Sequence, residues 1–161
     1  MNGKSRLALA VFVAAVVAAS ATFAHGEEGR AYGFRLGYGA DPDQFVAGIQ
    51  ADFGSIHRNI HFVPSIDAGF GDHMTTISIN GDFKGFLPLP KSSFSFYGLA
   101  GPTLTYWMFD EIDDDLEIGL SLGVGARVGF GESGWYNIEA RFGAGDIPEF
   151  KILMGLLFGQ R

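Results

Sequence analysis

The stretch Leu116-Glu117-Ile118-Gly119-Leu120-Ser121-Leu122-Gly123-Val124-Gly125-Ala126-Arg127-Val128-Gly129-Phe130 decides how the rest of the chain is read. Every even position is apolar. The odd positions carry Glu117, Ser121, Arg127 and glycines. A period of two is that of a β-strand, whose successive side chains point to opposite faces. One face of this strand is oily, and the other is tiny or charged.

Working outward, the same alternation recurs on both sides. It predicts eight strands at about 31–39, 45–54, 59–70, 74–86, 93–107, 116–130, 135–144 and 149–158. Tyr32, Phe34, Leu36 and Tyr38 oppose Gly33, Arg35 and Gly37 in the first. Tyr136, Ile138, Ala140 and Phe142 oppose Asn137, Glu139 and Arg141 in the seventh. The fifth is the least regular, because Phe96 and Tyr97 load both phases. Turn signals separate the strands: Asp41-Pro42-Asp43, Gly71-Asp72, Pro88-Leu89-Pro90, Glu132-Ser133-Gly134 and Gly145-Asp146-Ile147-Pro148. Asn80-Gly81 has hairpin chemistry, but the phase runs through it unbroken, so one strand is expected there. Pro64 and Pro102 fall inside strands and suggest bulges. No sustained helical stripe is present after residue 24.

Alternation alone does not say which face looks inward. The size of the polar phase does. Water tolerates long side chains, whereas the lumen of an eight-stranded barrel is narrow and must be filled by side chains that fit. Here the polar phase holds Gly33, Gly37, Gly48, Gly69, Gly119, Gly123, Gly125, Gly129, Gly143 and Gly155. It also holds five bases (Arg35, Lys84, Arg127, Arg141, Lys151) and five acids (Asp52, Asp67, Asp82, Glu117, Glu139), which cancel. Buried charges are tolerated when paired, so these ten are expected to form an interior ion-pair network. With Ser133 at the centre of the sixth-to-seventh turn, Arg127 would face Glu139, Val128 would meet Ile138, and Phe130 would meet Tyr136. Aromatics bracket several apolar faces (Tyr32 and Tyr38, Phe45 and Phe53, Phe62 and Phe70), as the interfacial girdles of a membrane barrel do. The expected fold is an all-β, eight-stranded, antiparallel up-and-down transmembrane β-barrel. A closed sheet leaves no unpaired edge in lipid.

The first residues read differently. Lys4 and Arg6 precede the apolar run 7–19, and small residues follow up to Ala24. This is the pattern of a cleavable signal peptide over residues 1–24, leaving residues 25–161 as one barrel domain. The run is too short for a helix that spans a bilayer. The chain has no cysteine and a formal net charge of −7. Lys4 and Arg6 belong to the leader, so the remainder carries −9. This acidity argues against nucleic acid as a partner, and the lack of cysteine excludes thiolate chemistry and a disulfide framework.

On these residues the chain resembles the small eight-stranded outer-membrane barrels, the group that includes the OmpA transmembrane domain, OmpX and OmpW. The resemblance spans residues 31–158 and is architectural. Phe150, Ile152, Met154, Leu156 and Phe158 are similar to the C-terminal signal read by the barrel-assembly machinery, although Gly159-Gln160-Arg161 follow it here. The resemblance implies residence in the bacterial outer membrane, with membrane lipids, lipopolysaccharide and the assembly machinery as partners, and a monomeric state.

Catalytic and metal chemistries are thinly represented. His61, Ser65 and Asp67 share one face of the third strand, but they would point into a packed lumen, where they join the polar network. His57 and His61 have the spacing that suits a metal on a helix, not on a turn entering a strand. Asp110, Glu111, Asp113, Asp114 and Asp115 form the most acidic loop. It reads first as a solvated, like-charged loop, and second as a weak calcium or magnesium site. Replacing Asp113, Asp114 and Asp115 by Asn would abolish any calcium-dependent thermal shift; an unchanged shift would end the second reading. No glycine-rich phosphate loop opens a helix, and no cofactor is expected. The role that follows is structural or interactive, without a catalytic site. The alternatives are a small-solute pore, a lipid-modifying outer-membrane enzyme, and a secreted soluble barrel that binds a hydrophobe inside.

Overall fold

The computed structural model describes residues 30–90, 92–109 and 115–159. Residues 1–24, expected to be a signal peptide, and most of the acidic run, Asp110 to Asp114, lie outside them. Nine strands alternate with short turns: β1 (Ala31–Asp41), β2 (Asp43–Asp52), β3 (Ser55–His57), β4 (Ile60–Gly71), β5 (Met74–Pro88), β6 (Phe94–Phe109), β7 (Asp115–Phe130), β8 (Gly134–Ala144) and β9 (Phe150–Gly159). All neighbours are antiparallel. β9 pairs with β1, and β2 pairs with β4, so the sheet closes on itself.

The closed sheet has eight staves. β2 and the three-residue β3 lie in succession against β4, separated by Phe53-Gly54. Gly54 sits at φ 80°, in the left-handed region that glycine enters without steric cost, and β3 is displaced in register beyond it. Sequence alternation extends through 45–54 as one strand and does not show this break. The other boundaries fall within a few residues of the expected ones. β5 runs straight through Asn80-Gly81.

The prolines behave differently from expectation. Neither Pro64 nor Pro102 inserts an extra residue. Pro64 faces Gly81 in an unbroken β4–β5 register, and Pro102 faces Leu120 in an unbroken β6–β7 register. The local cost falls on the ladder. β5–β6 pairing skips from Asn80–Thr103 to Phe83–Ala100, and β2–β4 pairing ends at Gln50–Ser65, beside Pro64. A missing N–H removes a rung without changing the count.

The two faces are sorted as the residue sizes require. Phe34, Leu122 and Ile152 are 48%, 54% and 46% exposed on the outer wall, whereas Arg35, Arg127 and Glu139 are 0%, 8% and 1% exposed inside. The irregular β6 resolves the same way, with Phe96 outside and Tyr97 buried in the lumen. Rings gather toward both ends of the outer wall. At the end where β1 begins and β9 finishes, Phe130 lies 4.2 Å from Tyr136 and 6.1 Å from Phe158, and Tyr32 meets Phe53 edge-on at 6.4 Å. At the opposite end, Phe142 and Phe150 pack at 5.1 Å, and Tyr38 donates a hydrogen bond to Asp43 at 2.7 Å. A continuous apolar wall between aromatic belts matches a hydrocarbon slab flanked by two interfaces. In water it would be an aggregation surface.

Candidate functional site

The chemistry of the molecule lies in its lumen. Strand alternation sends Arg35 (β1), Asp67 (β4), Asp82 and Lys84 (β5), and Glu139 and Arg141 (β8) to one level near the middle of the barrel. Arg35 grips Asp67 through two parallel bonds, Nε to Oδ1 at 2.7 Å and Nη2 to Oδ2 at 2.5 Å. This fork geometry is the strongest arrangement available to a guanidinium and a carboxylate. Its Nη2 also donates to Ser65 Oγ at 2.7 Å, and its Nη1 reaches Glu139 at 3.4 Å. Lys84 Nζ donates to the other oxygen of Glu139, and Arg141 Nε lies 3.5 Å from Glu139 Oε1. Arg141 Nη2 donates to Asp82. Asn80 ties the level together by donating to Asp67 and Ser65 and accepting from Thr103, which also bonds Ser121. Glu139 is thus surrounded by three cations, and the six charged side chains exclude water from the midsection.

Toward the terminal end, the lumen is closed by rings and a second ionic group. Asp52 accepts from Arg127 at 2.9 Å and from Gly54 N at 2.9 Å, and meets His61 Nδ1 at 2.8 Å. The Arg127 guanidinium lies over Phe86 at 4.5 Å, and Phe86 packs on Tyr97 at 5.0 Å and His61 at 4.7 Å. Tyr97 occupies the space above Gly125, where a Cβ would fall 2.4 Å from the ring. That contact explains one of the glycines on the polar phase. Toward the other end, Ile147 in the β8–β9 turn folds inward over Gly119 and Gly143 and is buried. Trp107 Nε1 donates to the Asp146 carbonyl at 3.2 Å, and the Glu149 and Asp41 backbones join the neighbouring turns.

Eight of the ten expected network residues have charged partners inside the lumen. Lys151 is buried there without a salt bridge among the described residues, and Asp67 and Asp82 act on it electrostatically. Glu117 departs from the expectation. It sits at the rim, half-buried, and lines an open cavity of about 460 Å³ with Asp41, Asp115, Asp146, Glu149, Trp107 and Phe109. Its inward phase was legible. Its height along the strand was not, because periodicity carries no axial coordinate. The interior balance is therefore five bases against four acids.

The expected Arg127–Glu139 pair is also corrected. Arg127 faces Asn137 and Glu139 faces Gly125, while Val128 meets Tyr136 and Phe130 meets Gly134. The turn begins one residue earlier than a Ser133-centred turn would, because Gly131 adopts φ 58° and forms a three-residue loop. Gly134, which has no side chain, lets the Phe130 ring fold over it. His61, Ser65 and Asp67 do not form a catalytic set. Ser65 and Asp67 are held by Arg35, and His61 by Asp52. Asp115 is the one residue of the acidic run that is described, exposed at the rim. Phe150, Ile152, Met154, Leu156 and Phe158 lie along the outward face of β9. This strand closes the barrel against β1, with Phe158 opposite Tyr32 and Met154 opposite Leu36.

A closed eight-stave sheet with an ionic lumen and an apolar wall defines an outer-membrane barrel domain. The chain belongs to the outer membrane protein beta-barrel domain family, whose pattern matches residues 7–150. Among solved structures it is similar to the N-terminal β-barrel domain of Pseudomonas aeruginosa OprF, with 15% identity and a TM-score of 0.63 over 80% of this chain and 94% of that one. It is similar to Neisserial surface protein A at 12% identity and a TM-score of 0.60, covering 80% and 93%. It is also similar to the Yersinia pestis outer membrane protein Ail at 12% identity and a TM-score of 0.53, covering 81% and 99%. No curated protein matches the chain in sequence. Family and fold together imply the bacterial outer membrane as its location.

Proposed function

We propose that this barrel is a sealed, monomeric structural element of the outer membrane that holds lipid on its wall and presents an acidic rim for surface contact, without catalysing a reaction or passing solutes. The observation that carries this reading is the midsection. Arg35, Lys84 and Asp82 have no solvent exposure, and the cations and carboxylates around Glu139 close the lumen from opposite sides. Opening a water path would mean separating buried pairs, and each broken pair costs about 3–5 kcal/mol. The acidic rim suits divalent cations shared with anionic lipopolysaccharide, its expected neighbour on that face if the chain termini lie on the periplasmic side.

The test is planar-bilayer recording of the refolded protein. The expected result is a silent membrane; stable, discrete openings would replace this reading with that of a small-solute pore. The non-catalytic part is tested by mass spectrometry of lipid A from cells with and without the protein, where identical spectra are expected. One architecture carries several jobs in this fold, so the two measurements address separate claims.

A further inference from the structure

The outer wall is not evenly filled. On the half where β1 begins and β9 finishes, it holds a groove of about 350 Å³ that crosses five strands, from β6 through β7, β8 and β9 to β1. Phe94 on β6 and Phe34 on β1 stand at its two ends. Between them the wall is thin for identifiable reasons. Ala126 on β7 is small, and the Tyr136 ring on β8 leans onto Phe130 at 4.2 Å, toward the aromatic belt. Asn137 and Gly155 line the floor, although both belong to the inward phase and face one another across β8 and β9. The Asn137 side chain is held in the lumen by Gln50 at 3.2 Å, and Gly155 has none. The groove therefore reaches bare peptide. Those peptide groups are committed to the β8–β9 ladder, so an occupant meets dispersion contacts and almost nothing polar. That chemistry suits a hydrocarbon chain.

Charge selects the headgroup that such a chain carries. At the end next to the groove, the described rim residues are Arg30 and Arg58 against Glu132. Arg30 precedes β1 on the phase of Tyr32 and Phe34, about 13 Å from the Phe34 level by the rise of a strand. The turns at the other end, with the residues that flank them, carry Asp41, Asp43, Asp72, Asp115, Asp146 and Glu149. No exposed lysine or arginine lies there among the described residues. A phosphate is thus favoured at the end beside the groove and repelled at the far one. A second copy of the barrel would present a broad convex wall, which spans a groove of this size without filling it.

We propose that this groove holds one acyl chain of a phospholipid, in the leaflet next to the end where β1 begins, with the phosphate at the level of Arg30. Such a bound chain presupposes the lipid-bearing wall proposed above and narrows it to one position.

The probe is palmitoyl-oleoyl phosphatidylglycerol, titrated into the refolded full-length barrel in detergent and read by native mass spectrometry. The diacylglycerol of the same chains is the uncharged control. Saturable retention of one phosphatidylglycerol per barrel is expected, with weaker retention of diacylglycerol. Ala126→Phe fills the groove and should lower the apparent affinity by about tenfold, the factor that a modest overpacking clash imposes. Ala100→Phe adds the same bulk to the outward face of β6 away from the groove, and should bind as the wild type does. Arg30→Gln should narrow the difference between the two lipids. Heat-modifiable gel migration reports that each variant is folded. The proposal is overturned if retention does not saturate, if Ala126→Phe and Ala100→Phe bind alike, if diacylglycerol binds as well as phosphatidylglycerol, or if the spectra show a lipid-free dimer. A silent barrel that retains no lipid would overturn the groove alone, whereas a conducting barrel that retains one would overturn only the sealed lumen.

Discussion

At the residue scale, buried charge and rim charge on the same phase have opposite consequences. Glu139 touches Lys84, Arg35 and Arg141 with no solvent nearby. Glu139→Gln leaves three cations facing a neutral amide, and should lower the unfolding free energy by about 3–5 kcal/mol, read by urea titration in lipid vesicles. Glu117→Gln removes a carboxylate among like charges at the wet rim, and should stay within about 0.5 kcal/mol of wild type in the same titration. Equal losses would mean that the two carboxylates share one environment. Gly125 offers a steric counterpart. Gly125→Val drives a branched side chain into Tyr97, and the damage should be partly relieved in the Gly125→Val, Tyr97→Ala double variant. Purely additive losses would argue against that contact. The inward direction of Glu139, Glu117, Gly125 and Arg127 was legible from alternation, that of Tyr97 was not, and neither were the partners. Arg127 pairs with Asp52 on a distant strand because the β7–β8 turn starts at Gly131, a one-residue difference that shifts cross-strand pairing by two.

At the scale of the element, β7 shows how a strand serves lipid and lumen at once. Leu120, Leu122 and Val124 face outward, while Gly119, Ser121 and Gly123 face inward. Leu122 lies near the middle of the strand. Leu122→Arg should cost about 2–4 kcal/mol in folding equilibria in bilayers, as expected for an arginine at the membrane midplane. The same substitution at exposed Glu132, in the turn, should be close to neutral. A flat response along the strand would contradict a hydrocarbon environment. Strand extents were readable because a strand buried on one face by lipid and on the other by a narrow core cannot mix its phases. The break at Gly54 was not readable, since backbone geometry there changes without a change in composition.

For the whole molecule, closure is the property with the widest consequences. β1–β9 and β2–β4 pairing leaves no free edge on the eight staves, so the folded barrel should resist detergent and migrate differently on gels before and after boiling. Migration unaffected by boiling would indicate an open sheet. Closure also confines charge. The interior pairs form within the sealed sheet, and the remaining 4 basic and 14 acidic residues of 25–161 carry a net −10 outside that interior set.

The eight staves, the inward and outward faces, and the ten charges of the inward phase were all determined by the sequence. Each follows from a period of two and from residue size, which are local properties. Which charges meet and which one is left at the rim were decided only by the tertiary structure. Those outcomes depend on turn lengths and on the axial stagger of strands around a closed ring. A one-residue change in a single turn is too small to alter the alternation, yet it moves every contact across the lumen.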